Sequence, residues 1–176
     1  MKRSITNWQF AGFAATVLGG TLLHFLYSWT NQSILTAPFS SVNESTWEHM
    51  KLLFFPMFIF ALIQSRFFKI HKNFWCVKLI GIATGLILIP VLFYTYNGAF
   101  GKSPDWVNIA FFVVSVAAAY FLETRLYKTD CLRCKSPWLA FAAICLIGAS
   151  FVLFTFVPPQ IPLFKDPLTG AYGITS

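Results

Sequence analysis

The sequence predicts an all-α polytopic membrane protein: a bundle of five transmembrane helices followed by an extended extracytoplasmic C-terminal tail. Three observations carry that expectation. Hydrophobic residues make up 57% of the 176 positions and charged residues only 11%, a balance foreign to soluble domains. Five windows stay apolar for roughly 20 residues, the length that crosses a bilayer as a helix. Runs of that length must satisfy their own backbone in lipid, which selects helices over barrel strands.

The first span is placed at about residues 8–29. Lys2-Arg3 precedes it, as in a secretory signal, but the run is too long for a signal core and no small-residue cleavage pattern follows Trp29, so it is expected to remain as an anchor. Gly12, Thr16 and Gly20 recur every four residues, the small-residue stripe that lets helices approach closely. His24 continues that stripe and is predicted to face the bundle. The second span is placed at about 44–64. Ser41 and Glu44 have capping-box spacing, which predicts a helix beginning near Val42. The third span, about 78–96, carries Gly81 and Gly85 as a packing face. Pro56 and Pro90 interrupt the second and third helices and each frees a carbonyl one turn upstream. The fourth and fifth spans are placed at about 106–124 and 138–157. The tail, 158–176, holds four of the nine prolines and cannot be helical. Its Ile161, Leu163 and Phe164 predict that it folds back over the outer face. Residues 1–176 thus read as a single integral membrane domain.

Basic residues set the expected orientation. With the N-terminus inside, Lys2, Arg3, Arg66, Lys69, Lys72, Lys78, Arg125, Lys128, Arg133 and Lys135 fall on the cytoplasmic side, against Lys51, Lys102 and Lys165 outside. This is the bias of a cytoplasmic membrane protein with its C-terminus extracytoplasmic. The net charge of +7 is then a topology signal, and nucleic acid is excluded as a partner. Membrane lipids are the expected contacts, with a second copy or another membrane protein as the partner class compatible with such a bundle. An odd number of spans excludes a simple pair of inverted halves and weakens a transporter reading.

The stretch Asn43-Glu44-Ser45-Thr46-Trp47-Glu48-His49-Met50-Lys51 presses carboxylates, an imidazole and an ammonium against a strongly apolar run, where polar groups are costly and point to function. On a helix, Glu44 and Glu48 share a face with Lys51, and His49 lies about 100° further round. Glu44, Glu48 and His49 are the candidate catalytic groups, as base, ligand or acid. His24, Glu48 and His49 are the candidate ligands of a divalent metal such as zinc, manganese or iron, which would lower the pKa of a bound water. Asn43, Trp47, Lys51, Tyr94, Tyr96, Asn97 and Asp166 are expected to line the substrate side of the same outer cavity. The plainer account is a salt-bridge ladder meeting water and headgroups. No established metal-binding spacing supports the metal assignment.

Cys131-Leu132-Arg133-Cys134 forms a C-x-x-C between the fourth and fifth spans. With no second pair to complete a zinc site, and with charge placing the loop in the reducing cytoplasm, two incidental loop thiols are expected, and Cys76 and Cys145 are expected to stand alone. Asn31-Gln32-Ser33 and Asn43-Glu44-Ser45 match the glycosylation pattern but carry no weight. No phosphate-binding glycine loop or nucleophile elbow is present. Polar residues through the middle of the spans are expected to be limited to small groups such as Thr16, Thr84 and Ser115.

The segment Asn43-Glu44-Ser45-x-Trp47-Glu48-His49-x-Lys51 resembles the signature of a small family of uncharacterised bacterial multi-pass membrane proteins. The tail Pro162-Leu163-Phe164-x-Asp166-Pro167-x-Thr169-Gly170-x-Tyr172-Gly173 is similar to the same family's C-terminal motif, and His24 and Tyr94-Thr95-Tyr96-x-Gly98 fit as well. The resemblance covers nearly the whole chain and implies a bacterial cytoplasmic membrane and about five spans. It implies no activity. The residues alone point to a small membrane enzyme, a metal-dependent hydrolase or transferase acting on a lipid or amphiphile. The alternative is a non-catalytic protein that binds a lipid, cofactor or partner.

Overall fold

A computed structural model describes residues 2–67, 73–129 and 132–174. Five helices account for most of it: α1 Lys2–Trp29, α2 Thr46–Phe67, α3 Phe74–Phe100, α4 Asp105–Thr129 and α5 Pro137–Phe156. Each contains a segment long and apolar enough to cross a membrane. Among the described residues there is no strand, only an isolated bridge between Lys165 and Tyr172. The architecture is therefore an all-α multi-pass membrane bundle.

Consecutive helices run in alternating directions. Trp8 near the start of α1 packs on Phe67 at the end of α2, and Phe74 at the start of α3 stacks on Tyr127 near the end of α4. Two ends result. The tail side gathers the end of α1, the start of α2, the α3–α4 turn and residues 157–174. The N-terminal side gathers the other helix ends.

α2 is the hub, packing against α1, α3, α4 and α5. It supplies Leu53, Phe54 and Met57, all fully buried, to a core that also takes Ile82, Leu86, Val116, Ala119, Ile144 and Phe151. Small residues allow this close assembly. A methyl added at Gly20 would stand 2.6 Å from the Phe112 ring and 2.7 Å from the Leu52 carbonyl oxygen, and one at Gly12 would meet Tyr120 and Phe60. Thr16, on the same stripe, bonds the Tyr120 hydroxyl at 2.9 Å. The stripe of α1 thus faces α2 and α4, and His24 at its end faces α2.

The start of α2 differs from the expected one. The helix begins at Thr46, and Ser45 stands before it with its Oγ 3.4 Å from the Glu48 N–H. The spacing Ser45-x-x-Glu48 repeats that of Ser41-x-x-Glu44 four residues later, and the chain uses the later copy. Ser41 instead turns its hydroxyl to the Asn43 carbonyl. Glu44 therefore sits in the loop, and the ladder from Glu44 to Glu48 does not form.

The cysteines correct a second expectation. Cys134 forms a disulfide with Cys76 of α3, their Cα atoms 6.0 Å apart, so Cys76 is not solitary. Cys131 lies outside the described residues. The bridge ties the α4–α5 loop to the N-terminal side of α3.

The polar inventory of the spans is also larger than expected. Gln9, Gln64, Lys78 and Glu123 are buried, and Lys78, assigned from sequence to the charged rim, points inward to Glu123 at 2.6 Å.

Candidate metal centre at the tail side

Three side chains from three segments meet at the tail side. His24 comes from the last turns of α1, Glu44 from the loop before α2, and His49 from the first turn of α2. His24 Nε2 stands 3.7 Å from Glu44 Oε1, and His49 Nε2 stands 3.5 Å from Glu44 Oε2. One donor atom from each residue falls within a 4.8 Å group, and the imidazole centroids are 5.7 Å apart.

The local chemistry fixes how His49 is presented. Its Nδ1 lies 2.9 Å from the Ser45 carbonyl. A carbonyl only accepts, so Nδ1 carries the proton and Nε2 is turned toward Glu44. A backbone carbonyl behind one ring nitrogen is the usual way a metal-binding imidazole is oriented. His24 has no such support among the described residues, since its buried Nδ1 lacks a partner. Both N···O separations exceed the roughly 2.7 to 3.2 Å of a hydrogen bond. With bonds of about 2.1 Å, tetrahedral coordination would separate neighbouring ligand atoms by about 3.4 Å. Two imidazoles and a carboxylate suit zinc or iron and leave room for further ligands. The Glu44 side chain is 42% exposed, so the remaining position opens to solvent.

Glu48 does not join this group. It is buried against Lys51, its Oε2 2.6 Å from the ammonium, and accepts a second bond from the Val42 N–H at 2.9 Å. Lys51 also donates to the Ala37 carbonyl at 3.0 Å and to Thr155 Oγ1 at 2.9 Å. Its three protons meet three acceptors drawn from α2, the 30–45 loop and α5. Removing two charges from water is costly unless geometry and hydrogen bonds offset it, and here every ammonium proton is used. The pair clamps the loop carrying Glu44 onto the bundle, so Glu48 and Lys51 position the centre without entering it.

The remaining candidates scatter for identifiable reasons. Asn43 ties the loop to the tail: its Oδ1 accepts from the Ser45 N–H and its Nδ2 donates to the Gly173 carbonyl, both at 2.9 Å. Trp47 is an aromatic anchor, 4.5 Å between centroids from both Phe151 and Phe164, and it fixes the short 3-10 turn Pro162–Phe164 on α2. Asp166 shapes its own loop, accepting from the Leu168 N–H at 2.8 Å and the Thr169 hydroxyl at 2.7 Å. Asn97 closes the α3–α4 turn through Ser103. Tyr96 packs on Phe100 and Phe111. Tyr94 lines a separate groove of about 360 Å³ with Thr46, Phe93, Pro162, Lys165, Asp166, Pro167 and Gly170. The tail therefore roofs the Tyr94 groove and Trp47, and the expected single cavity is divided in two.

The residues that sequence reasoning missed lie on the other side. Lys78 and Glu123 form a fully buried pair, and Gln9 donates to the same Glu123 oxygen at 2.9 Å. A glutamate six residues before the end of an apolar helix, inside the fourth expected span at 106–124, was the available signal.

No curated protein and no solved structure matches the chain. A family model does, over residues 1–174: the chain belongs to DUF6512, a family of unknown function.

Proposed function

We propose that this chain is an integral membrane protein that holds a divalent transition metal through His24, Glu44 and His49, and uses it as a hydrolase or transferase on a lipid or amphiphile. The observation that supports this reading is the pair of imidazole–carboxylate separations, 3.5 and 3.7 Å, too long for hydrogen bonds and suited to a shared cation. The metal would supply Lewis acidity and a water deprotonated near neutral pH. The chain's own residues would do the rest. The Ser45 carbonyl holds the His49 tautomer, Glu44 balances the cation's charge, and Glu48 with Lys51 keeps the Glu44 loop in place. Among the described residues no second carboxylate stands beside the centre, so Glu44 is the carboxylate there for proton transfer.

The orientation proposed is N-terminus cytoplasmic and centre extracytoplasmic, on the strength of the basic bias. The Cys76–Cys134 bridge lies on the basic side, and disulfides persist in oxidising compartments, so orientation needs its own test. A reporter fused after Ser176 should read as extracytoplasmic; a cytoplasmic reading would reverse the assignment.

Elemental analysis of the purified full-length protein tests the metal. One zinc, manganese or iron per chain, lost in His24→Ala and in Glu44→Ala with the fold intact, is the expected result. Metal-free protein that stays metal-free after zinc addition would defeat the reading. It would leave the alternative of a non-catalytic lipid-binding protein, which the Tyr94 groove favours.

A further inference from the structure

We propose that the groove between the start of α2, α3 and the tail is a binding site for the headgroup of an anionic phospholipid. Three polar residues on its wall, Thr46, Tyr94 and Lys165, have side-chain hydroxyl or ammonium groups with no hydrogen-bond or ion-pair partner among the described residues. Each can donate a hydrogen bond, and Lys165 and Tyr94 are exposed. Thr46 is only 6% exposed and is the first residue of α2, a 22-residue helix. The positive end of that helix therefore faces the groove, the usual place for an anion. The residue is more than nine-tenths buried, and its hydroxyl, which stays accessible from the groove, can bond to a ligand there.

The one acidic residue on the wall, Asp166, already spends both carboxylate oxygens on the Leu168 N–H and the Thr169 hydroxyl. What remains is one ammonium and two hydroxyls able to donate, with each Asp166 oxygen already bonded within its own loop. The ammonium favours a phosphate or carboxylate oxygen over a cationic headgroup. The other walls are Phe93, Pro162 and Pro167, apolar surface suited to the glycerol and upper acyl region. Level also favours a lipid over a free anion. Exposed Trp29 and Trp106 stand at the tail-side ends of α1 and α4, where tryptophans mark the membrane interface, and the groove opens at that end of the bundle.

Thr46 is two residues after Glu44 and three before His49, so the groove and the metal centre flank the same helix start. The proposal rests on the reading above only in making the bound lipid a substrate. Binding itself requires no metal.

The test uses delipidated, chelator-treated full-length protein in detergent, titrated with short-chain phosphatidylglycerol, short-chain phosphatidylcholine and inorganic phosphate. Phosphatidylglycerol should bind one to one and about tenfold tighter than phosphatidylcholine, the scale of one charge-assisted contact. Lys165→Gln should bring phosphatidylglycerol down to the affinity of phosphatidylcholine for the same variant, and Lys165→Arg should retain the preference. Tyr94→Phe should weaken phosphatidylglycerol about threefold, the loss of a neutral hydrogen bond. Equal affinity for the two lipids, or a preference that survives Lys165→Gln, overturns the site. Inorganic phosphate binding as tightly as phosphatidylglycerol overturns the lipid assignment in favour of a free anion. Because the titrated protein carries no metal, these outcomes are independent of the metal reading, which elemental analysis tests separately.

Discussion

Two buried lysine–glutamate pairs hold this bundle, one near each end, and they are built differently. Both close to 2.6 Å and both exclude solvent. At the tail side, Lys51 has an acceptor for each proton and Glu48 takes a second bond from the backbone. At the N-terminal side, Lys78 finds one carboxylate and two ring faces, Tyr120 and Phe74. Among the described residues, Glu123 leaves Oε1 without a partner, as does Gln9 with its own Oε1. Gln64, also buried with neither amide atom paired, belongs to the same level, since Phe60 and Phe67 on either side of it in α2 both pack on Trp8. The first pair is a clamp with its polar groups satisfied. The second is an underpartnered polar interior, where aromatic faces stand in for missing acceptors. Burial alone thus says little about what an ion pair does; the count of its partners says more.

The sharpest way to break the comparison is to remove one charge from each pair. Glu123→Leu and Lys51→Met should each cost about 3 to 5 kcal/mol, the penalty of stranding a buried charge, read as a drop in unfolding midpoint in detergent. The double change Lys78→Met with Glu123→Leu should recover most of that loss, because an apolar pair replaces an underpartnered one. Lys51→Met with Glu48→Leu should recover less, since Ala37, Thr155 and Val42 lose bonds as well. Equal recovery at both sites would erase the distinction.

The second effect is on metal affinity. Glu48→Gln should weaken zinc binding about 10- to 100-fold, the scale seen when outer supports of a metal site are removed, while Gln9→Leu at the other end should leave it unchanged. Isothermal titration of zinc into both variants measures this, and a matching loss in both would show only general damage. Acidification should weaken zinc in the parent protein too. Histidine ligands must shed protons to bind, so metal uptake releases protons and affinity falls as pH falls.

The smallest effect concerns the tail. Gly173 adopts φ +65° with Pro158 close enough that an added methyl would lie 2.8 Å from its ring. Gly173→Ala should cost about 1 to 2 kcal/mol and loosen the Asn43 tie. Faster proteolysis of residues after Pro158, with the bundle intact, would report it.

Much of the architecture was legible because bilayer crossing is a property of composition. Five apolar runs of the right length are five helices, and helix ends fell within a few residues of expectation except at the start of α1 and the end of α4, whose polar ends continue the helix past the apolar window, and at α3, which runs further at both ends. The stripe Gly12, Thr16, Gly20, His24 was legible for the same local reason: period and side-chain size are written in the chain. The site was only partly so. His24, Glu44 and His49 were each candidates, but Glu48 was grouped with the histidines on the assumption of a continuous helix from Val42. Two overlapping capping-box spacings, Ser41 with Glu44 and Ser45 with Glu48, cannot be ranked locally. The Cys76–Cys134 bridge was hidden by the nearer Cys131.

By itself the sequence determined the class, the number of helices and which face of α1 turns inward, since each follows from hydropathy and periodicity over one helix. Tertiary structure alone decided which carboxylate meets the histidines. Glu48 is drawn to Lys51 because that ammonium, buried under the 30–45 loop and α5, needs a counter-charge more than any exposed centre does. Glu44, left in the loop and half in solvent, is the carboxylate free to face His24 and His49. Competition for partners across 104 residues, from Lys51 to Thr155, is a property of the assembled bundle, and no local pattern encodes its outcome.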